Sequence, residues 1–269
     1  MSQTQQVVGV QYDIAWEKPA ENVQTAGKIL EDFAQEGKLK EGALVVLPEM
    51  MGSGFTLKVN RAEEGEARIV ETFLIEKAKQ YGVWMLGGVV RRGADRKGLN
   101  QCVVFDPNGI EVCRYTKIHP FSYGQETDFY AKGKEVYVFK WGGVTVCPLI
   151  CYDVRFPEIF RHGAAQGAEL FTVIANFPKR RVKHWVTLNQ ARAIENLAYV
   201  VAVNRIGLDP FLGYPGRSMV IDARGEIMAD AQDETGIISA EIDLDDLAEY
   251  RGRFPALKDM RNEFLGLDT

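Results

Sequence analysis

Three residues combine a reactive side chain with a position beside an apolar, strand-like segment. Glu49 follows Pro48 at the end of one such segment, Lys117 follows the second strand of an apparent hairpin, and Cys151 ends a further segment. In α/β proteins, reactive groups commonly lie at the ends of strands. A thiol is mostly protonated at neutral pH, so a nucleophilic cysteine needs a base and a cation. The three residue types therefore suggest catalysis by a cysteine nucleophile.

The segment around Cys151 has the pattern of a nucleophile elbow. Leu149 and Ile150 precede the cysteine, and a turn leads into a helix that is predicted to begin near Pro157. Such a strand-to-helix turn exposes the nucleophile and lets the next backbone N–H, here that of Tyr152, face an oxyanion. Taken alone, a cysteine is more often a small buried hydrophobe, and a glutamate or lysine is a solvated loop charge. The interpretation therefore depends on the three residues meeting in space.

The elements that must position these residues alternate between strand and helix. Helical spacing of apolar residues predicts helices, and short β-branched runs predict strands. The predicted helices are 22–33, 64–80, 158–166 and 182–195. The predicted strands are 7–12, 43–47, 83–90, 103–106, 110–115, 136–139, 143–150, 169–175, 199–203, 218–222, 226–229 and 236–241. This order indicates a layered α/β fold with a mixed sheet, and periodicity alone leaves the stacking of the sheets open.

The composition is that of a globular chain able to bury a large core. Apolar residues make up 46% and charged residues 26% of the 269 residues, which are ordinary proportions. No low-complexity linker and no repeat of solenoid length interrupts the order of elements. We therefore predict a single domain over residues 1–269.

Charge and cysteine content argue against several classes of partner. The net charge is −5, and the basic clusters at 91–92 and 179–181 are too short to track a phosphate backbone. The four cysteines do not resemble a disulfide framework, and they lack zinc-finger spacing. The polar segment 1–6 and the absence of an apolar run near roughly 18 residues disfavour a leader or membrane span. We expect a cytoplasmic protein without nucleic-acid, membrane or metal partners.

Together, the motifs around the three sites resemble the nitrilase, or carbon-nitrogen hydrolase, superfamily over almost the whole chain. The matching segments are Pro48-Glu49, Lys117–Phe121, Cys151–Pro157, Ala175–Pro178, His184-Trp185, Arg192–Asn196 and Gly216–Val220. The resemblance implies a four-layer αββα sandwich with two mixed β-sheets face to face. It also implies a homodimer.

The same resemblance assigns roles to the reactive residues. It implies a catalytic triad of Glu49 as general base, Lys117 as the cation that stabilises the oxyanion, and Cys151 as nucleophile. Glu126 matches a second glutamate that orients the lysine and substrate, and the Tyr152 backbone N–H is the second oxyanion donor. The reaction needs no metal and no organic cofactor.

A cysteine-histidine mechanism is the rival explanation, because three histidines could supply an imidazole. These are His119, His162 and His184. The sequences that flank them disfavour this mechanism. For His184, which precedes a tryptophan at the start of a predicted helix, packing and hydrogen bonding are the plainer roles.

The resemblance also narrows the substrate. True nitrilases usually have Trp-Glu after the cysteine, whereas this chain has Tyr152-Asp153. The C-terminal segment Tyr250–Pro255 resembles the omega-amidase group, which deamidates 2-oxo acid amides. We therefore predict hydrolysis of a short dicarboxylate monoamide such as 2-oxoglutaramate or 2-oxosuccinamate. The main alternative is an N-carbamoyl amidohydrolase, and the sequence favours a nitrilase or a non-catalytic binding scaffold less.

Five residues near the catalytic motifs are candidates for binding that substrate. Arg155 lies four positions after the nucleophile, so its guanidinium could receive the far carboxylate or brace the elbow through Asp153 or Glu158. Aromatic residues beside the motifs could wall a small pocket that excludes bulky amides and water. The other candidate residues are Tyr123, Phe129, Asn176 and Phe177.

Overall fold

The computed structural model describes residues 4–59, 65–93, 96–264 and 266, together with the side chains of these residues except that of residue 262. The strands in these ranges are β1 (Thr4–Gln11), β2 (Leu44–Val46), β3 (Trp84–Arg92), β4 (Gly98–Phe105), β5 (Glu111–Thr116), β6 (Phe139–Trp141), β7 (Val144–Ile150), β8 (Leu170–Ala175), β9 (Tyr199–Asn204), β10 (Ile206–Leu208), β11 (Gly213–Pro215), β12 (Met219–Ile221), β13 (Ile227–Asp230) and β14 (Gly236–Asp243). The α-helices are α1 (Pro19–Gln35), α2 (Glu66–Tyr81), α3 (Glu126–Phe129), α4 (Pro157–Ala165), α5 (Val182–Asn196) and α6 (Leu244–Arg253).

The strands form two mixed six-stranded sheets, with β10 and β11 as a separate hairpin. The first sheet has the order β14-β1-β2-β3-β4-β5, and the second has the order β13-β12-β9-β8-β7-β6. Each sheet has three parallel central strands that are joined through helices: β1, β2 and β3 in the first, and β7, β8 and β9 in the second. The outer pairs are antiparallel. Helix crossovers between parallel neighbours explain the alternation of elements along the chain.

The apolar core lies in layers because consecutive strand residues face opposite sides of a sheet. On β1, Val7 belongs to the core between the two sheets, whereas Val8 packs toward α1 and α2. Strands β1 and β4 of the first sheet pack on β9 and β7 of the second. Helix α5 packs against β9 and against α4 on the far side. The predicted four-layer αββα sandwich is confirmed.

Most predicted elements agree with the observed ones within a few residues, and the exceptions have local causes. The predicted strand 136–139 is wrong, because the strand begins at Phe139 and pairs with Val146 across a tight turn at Gly142-Gly143. Helices α3 and α6 and the β10–β11 hairpin were not predicted. The expected helix start at Glu64 and the first three residues of the chain lie outside the described residues. Over the described ranges, no helix is both long and apolar enough to cross a bilayer.

Candidate active site

Cys151 lies at a strained turn directly after β7. Its backbone φ is +50°, in the left-handed region that non-glycine residues rarely adopt. A 3₁₀ helix over Cys151–Arg155 follows, and α4 begins at Pro157, where proline costs no helical hydrogen bond. Cys151 is 8% exposed and lines a cavity. The predicted strand–turn–helix elbow is therefore present in the structure, and its strain is the kind that functional sites retain.

Asp153 holds this turn in place through a buried carboxylate. Its Oδ2 accepts hydrogen bonds from the Tyr115 hydroxyl at 2.7 Å and from the Ile150 backbone N–H at 3.1 Å. Its Oδ1 accepts from the His119 backbone N–H at 3.0 Å and lies 2.9 Å from His119 Nδ1. The aspartate thus ties the elbow to β5 and to the segment that carries Lys117. This bracing role needs no contribution from Arg155.

Glu49 follows β2 in a loop that runs unusually close to β3. A Cβ on Gly88 would lie 2.4 Å from the Met50 backbone nitrogen and 2.6 Å from the Glu49 Cα. Only glycine allows this approach, since real Cβ contacts do not occur below about 3 Å. The loop is fixed by hydrogen bonds from Leu47 N–H to Leu86 O at 2.8 Å and from Met51 N–H to Gly88 O at 3.0 Å. Backbone hydrogen bonds to β3 therefore fix the chain both before and after Glu49.

A fully buried charge cluster joins Glu49, Lys117 and Glu126. Lys117 Nζ donates to Glu49 Oε1 at 2.8 Å and to Glu126 Oε2 at 2.9 Å. The Asn100 amide bridges the two carboxylates, at 2.7 Å from Glu49 Oε1 and 2.9 Å from Glu126 Oε1. The Asn176 backbone N–H donates to Glu49 Oε2 at 2.8 Å, and its side chain donates to the Glu49 carbonyl at 2.7 Å. These hydrogen bonds offset the cost of burying three charges.

The electrostatics of the cluster define its resting protonation state. Burial acts to raise the pKa of Glu49, but Lys117 and the surrounding N–H donors outweigh it and hold the pKa below its ordinary value. Burial acts to lower the pKa of Lys117, but Glu126 and Glu49 raise it well above its usual range. Burial and the Glu49 charge raise the pKa of the Cys151 thiol well above its ordinary value. The resting site therefore contains a neutral thiol beside an ionised carboxylate and an ammonium group.

A cavity of about 400 Å³ opens above this cluster. Cys151 lines it, and Phe55, over whose ring Lys117 Nζ lies at 5.7 Å, forms part of its wall. The structure places four of the five candidate substrate residues in the lining: Tyr123, Arg155, Asn176 and Phe177. Tyr152, the predicted oxyanion donor, also lines the cavity. Phe129 is not part of the lining, and its side chain is 42% exposed. The expectation that Phe129 walls the pocket has no support in this placement.

Arg155 reaches the cavity with its charge uncompensated. Its Nη2 lies 3.2 Å from His184 Nδ1, and its guanidinium lies over the rings of Tyr152 at 5.8 Å and Phe177 at 5.5 Å. Within the described part of the chain, neither Asp153 nor Glu158 forms an ion pair with it. The guanidinium is thus positioned by aromatic contacts and remains available to an anion.

The positions of the three histidines do not suit a base for Cys151. His119 pairs with Asp153 and stacks on Phe156 with 3.7 Å between ring centroids. His184 is exposed beside Arg155, and His162 lies on α4. None of them is among the described residues that line the cavity. The structure therefore gives the rival cysteine-histidine mechanism no support.

Sequence analysis did not identify several residues of the site. Asn100, at the start of β4, has no motif that distinguishes it from a surface asparagine. The β10–β11 hairpin supplies Phe211 and Tyr214 to the cavity wall, and the Phe211 ring meets Trp16 edge-on at 5.9 Å. Conversely, the C-terminal segment Tyr250–Pro255 does not line the cavity. Its Arg251 donates instead to backbone carbonyl groups, at 2.8 Å and 2.7 Å, which anchors α6.

Comparisons with known proteins agree with this architecture. The carbon-nitrogen hydrolase family matches residues 7–252. The chain is 34% identical to a 2-oxoglutaramate amidase of Bacillus subtilis strain 168, covering 94% of this chain and 96% of that protein. It is also 36% identical to an omega-amidase, YafV, of Yersinia enterocolitica, and the match covers 93% of this chain and 94% of that protein. The chain superposes with a TM-score of 0.88 on the crystal structure of a CN-hydrolase superfamily protein from Xanthomonas campestris, which has an arsenic adduct in its active site. The two sequences are 33% identical, and the match covers 96% of this chain and 97% of that chain. The chain therefore belongs to the carbon-nitrogen hydrolase family, and it is an enzyme that hydrolyses amides.

We expect Glu126→Gln to lower kcat by roughly 10- to 10²-fold, the scale of one charged hydrogen bond. The variant removes one of the two carboxylates that hold Lys117, while Glu49 stays in place. The measurement is steady-state ammonia release, and Glu158→Gln, the same change at an exposed position, is the control. An unaltered kcat in Glu126→Gln would remove this residue from the site.

Proposed function

We propose that this enzyme hydrolyses the terminal amide of a short 2-oxo dicarboxylate monoamide, with Cys151 as nucleophile, Glu49 as general base and Lys117 as the oxyanion-stabilising cation. The observation that carries the proposal is an elbow cysteine that lines a cavity and is acted on by the paired, buried carboxylate and ammonium group of Glu49 and Lys117. These are the groups that a weak electrophile such as an amide requires.

Acylation begins when the Cys151 sulfur attacks the amide carbon. The thiol proton passes to Glu49, whose charge acts on this thiol and raises its pKa. Negative charge develops on the amide oxygen, where Lys117 and the Tyr152 backbone N–H stabilise it. Because the resting pKa of the thiol is raised and that of Glu49 is lowered, proton transfer before attack is unfavourable. Transfer is therefore coupled to formation of the carbon–sulfur bond.

The same carboxylate completes acylation and then serves deacylation. Glu49 returns its proton to the departing nitrogen, the carbon–nitrogen bond breaks, and ammonia leaves while a thioester remains on Cys151. Water then enters, Glu49 takes its proton, and the hydroxyl adds to the thioester carbon. Collapse of this second intermediate breaks the carbon–sulfur bond and releases the carboxylic acid, and Glu49 returns its proton to the sulfur, which restores the thiol and the ionised carboxylate.

The features of the cavity support a small anionic substrate. Its volume of about 400 Å³ and its aromatic walls suit a short chain. Arg155 offers an unpaired guanidinium near the nucleophile, and a planar fork suits a carboxylate. The names of the relatives, 2-oxoglutaramate amidase and omega-amidase, agree with this substrate class.

The test is ammonia release from 2-oxoglutaramate, succinamate, glutamine, propionamide and an N-carbamoyl amino acid, assayed side by side. Replacing the far carboxylate by a neutral group should cost roughly 1.5 to 3 kcal/mol in kcat/KM. In the Arg155→Gln variant, the kcat/KM values for the carboxylate-bearing and neutral amides should become nearly equal, because the variant lacks the cation that recognises the carboxylate.

Arg161→Gln makes the same change outside the cavity lining and should preserve the discrimination. Equal kcat/KM values for propionamide and the carboxylate-bearing amides would contradict the proposal. A clear preference for the carbamoyl compound would favour the N-carbamoyl amidohydrolase alternative instead.

We further propose that the enzyme works as a homodimer in the cytoplasm. The support is the resemblance to its superfamily, together with the ordinary charge balance of the chain. Sedimentation of the purified protein at several concentrations tests the dimer.

A further inference from the structure

Three arginines face the cavity without a carboxylate partner among the described residues. They are Arg155, Arg180 and Arg181. The other cation in the lining, Lys58, is paired with Glu17. A cluster of like charges on one wall is unfavourable unless an anion occupies the space that they face.

The acid in the lining does not neutralise these arginines. Asp209 accepts hydrogen bonds at 2.7 Å from the backbone N–H groups of both Phe211 and Leu212, and at 2.5 Å from the Tyr214 hydroxyl. Its carboxylate thus organises the β10–β11 hairpin. Within the described part of the chain, Asp209 forms no ion pair with any of the three arginines, which keep their charge toward the cavity.

The arginines occupy different depths. Arg180 is exposed and Arg181 is half-buried, and both lie over the ring of Tyr123, at 5.7 Å and 5.4 Å. Arg181 also lies 5.3 Å from the centroid of Phe121. Arg155 lies over Tyr152, which directly follows the nucleophile. The side chains thus form a path of positive charge from the rim of the cavity toward Cys151.

The aromatic contacts orient these guanidinium groups without neutralising them. Burial and the neighbouring charges of Arg180 and Arg155 lower the pKa of Arg181. Arg155 alone suffices for the single carboxylate of the proposed substrate. The charge on Arg180 and Arg181 therefore calls for a separate role.

We propose that Arg180 and Arg181 form an entrance site that draws carboxylate-bearing amides into the cavity before Arg155 receives the carboxylate. This inference rests on the proposed function, because only an anionic substrate benefits. A charged, low-dielectric cleft focuses the field and raises association rates by roughly 10- to 10³-fold. The effect falls with ionic strength, since the Debye length is about 10 Å at 0.1 M salt.

The experiment measures kcat/KM for 2-oxoglutaramate and propionamide between low and high salt. For the double variant Arg180→Gln/Arg181→Gln, we expect a loss of about 10-fold for the anionic amide at low salt. We expect little change for propionamide, a flatter salt dependence for the anion, and a kcat close to that of the parent enzyme.

Two control variants separate charge from structure. Lys179→Gln removes a charge from the same segment but from an exposed residue outside the lining, and it should leave the salt dependence intact. Arg180→Lys/Arg181→Lys keeps the charge and should restore most of the kcat/KM that the glutamine variant loses.

The outcomes also separate this inference from the proposed function. If the parent enzyme prefers the anionic amide and the glutamine variant keeps the parent's salt dependence, the entrance site is wrong and the substrate proposal stands. An equal loss on both amides would show that the two arginines merely support the wall, which overturns the entrance site. If the parent enzyme shows no preference for the anion, both proposals fail.

Discussion

Cys151→Ala is expected to lower kcat on the order of 10⁴-fold or more, the scale seen when a covalent nucleophile is removed. We expect this loss because of the position of Cys151 in the structure. Of the four cysteines, Cys151 lies at a strained turn and lines the cavity, whereas Cys102, Cys113 and Cys147 are buried in the apolar core and are not among the described residues of the lining. Steady-state ammonia release from 2-oxoglutaramate measures the loss, and circular dichroism verifies the fold.

The control for this prediction is another thiol. Cys113 is not among the described residues that line the cavity, so its thiol, whose pKa burial raises to about 12, does not meet the substrate. Cys113→Ala should therefore retain its turnover. Comparable activity in a folded Cys151→Ala protein would exclude the proposed mechanism.

Glu49→Gln should lower kcat by roughly 10²- to 10⁴-fold, the range expected when a general base is lost. Glutamine keeps the volume and can still accept a hydrogen bond from Lys117, but it cannot take the thiol proton. Lys117 also keeps its second carboxylate, Glu126. Parallel thermal unfolding separates a catalytic loss from a loss of folded protein, and activity within a few-fold of the parent in a folded variant would rule out Glu49 as the base.

The pH profile gives an independent check on the same carboxylate. Because its surroundings hold the pKa of Glu49 below the ordinary carboxyl value, the base stays ionised as the pH falls through about 4.3, the usual glutamate range. The acid limb of kcat/KM that belongs to this group should therefore lie below that range. An acid limb near neutral pH in an otherwise stable protein would contradict this state of Glu49.

The sequence identified the catalytic candidates because each lies in a short contiguous motif at the end of a strand. Cys151 shows the limit of such reasoning: the motif predicted the elbow, but the role of Asp153 in bracing it depends on Tyr115 and His119, more than thirty residues away. Asn100 was missed for the same reason. A single asparagine can be recognised as part of the site only once the fold is known, because β4 places its amide between the carboxylates of Glu49 and Glu126.

The pocket wall was predicted less well than the catalytic cluster. Proximity in sequence suggested Phe129, but the adjacent Tyr130 is the buried ring, and its hydroxyl donates to Thr56 O at 2.7 Å. Phe129 consequently points away from the lining. Arg180 and Arg181 were interpreted only as a basic cluster too short for nucleic acid, since their relation to the cavity depends on how β8 is followed by α5 in space.

The most direct test of the account is to identify the covalent intermediate. Enzyme turning over saturating 2-oxoglutaramate is quenched in acid, digested and analysed by mass spectrometry, and a parallel reaction contains hydroxylamine as an alternative acceptor. The mechanism predicts an adduct with the mass of the substrate minus ammonia on the peptide that contains Cys151, and diversion of product to the hydroxamate. An adduct on any other residue, or hydrolysis that hydroxylamine cannot divert, would contradict a thioester on Cys151.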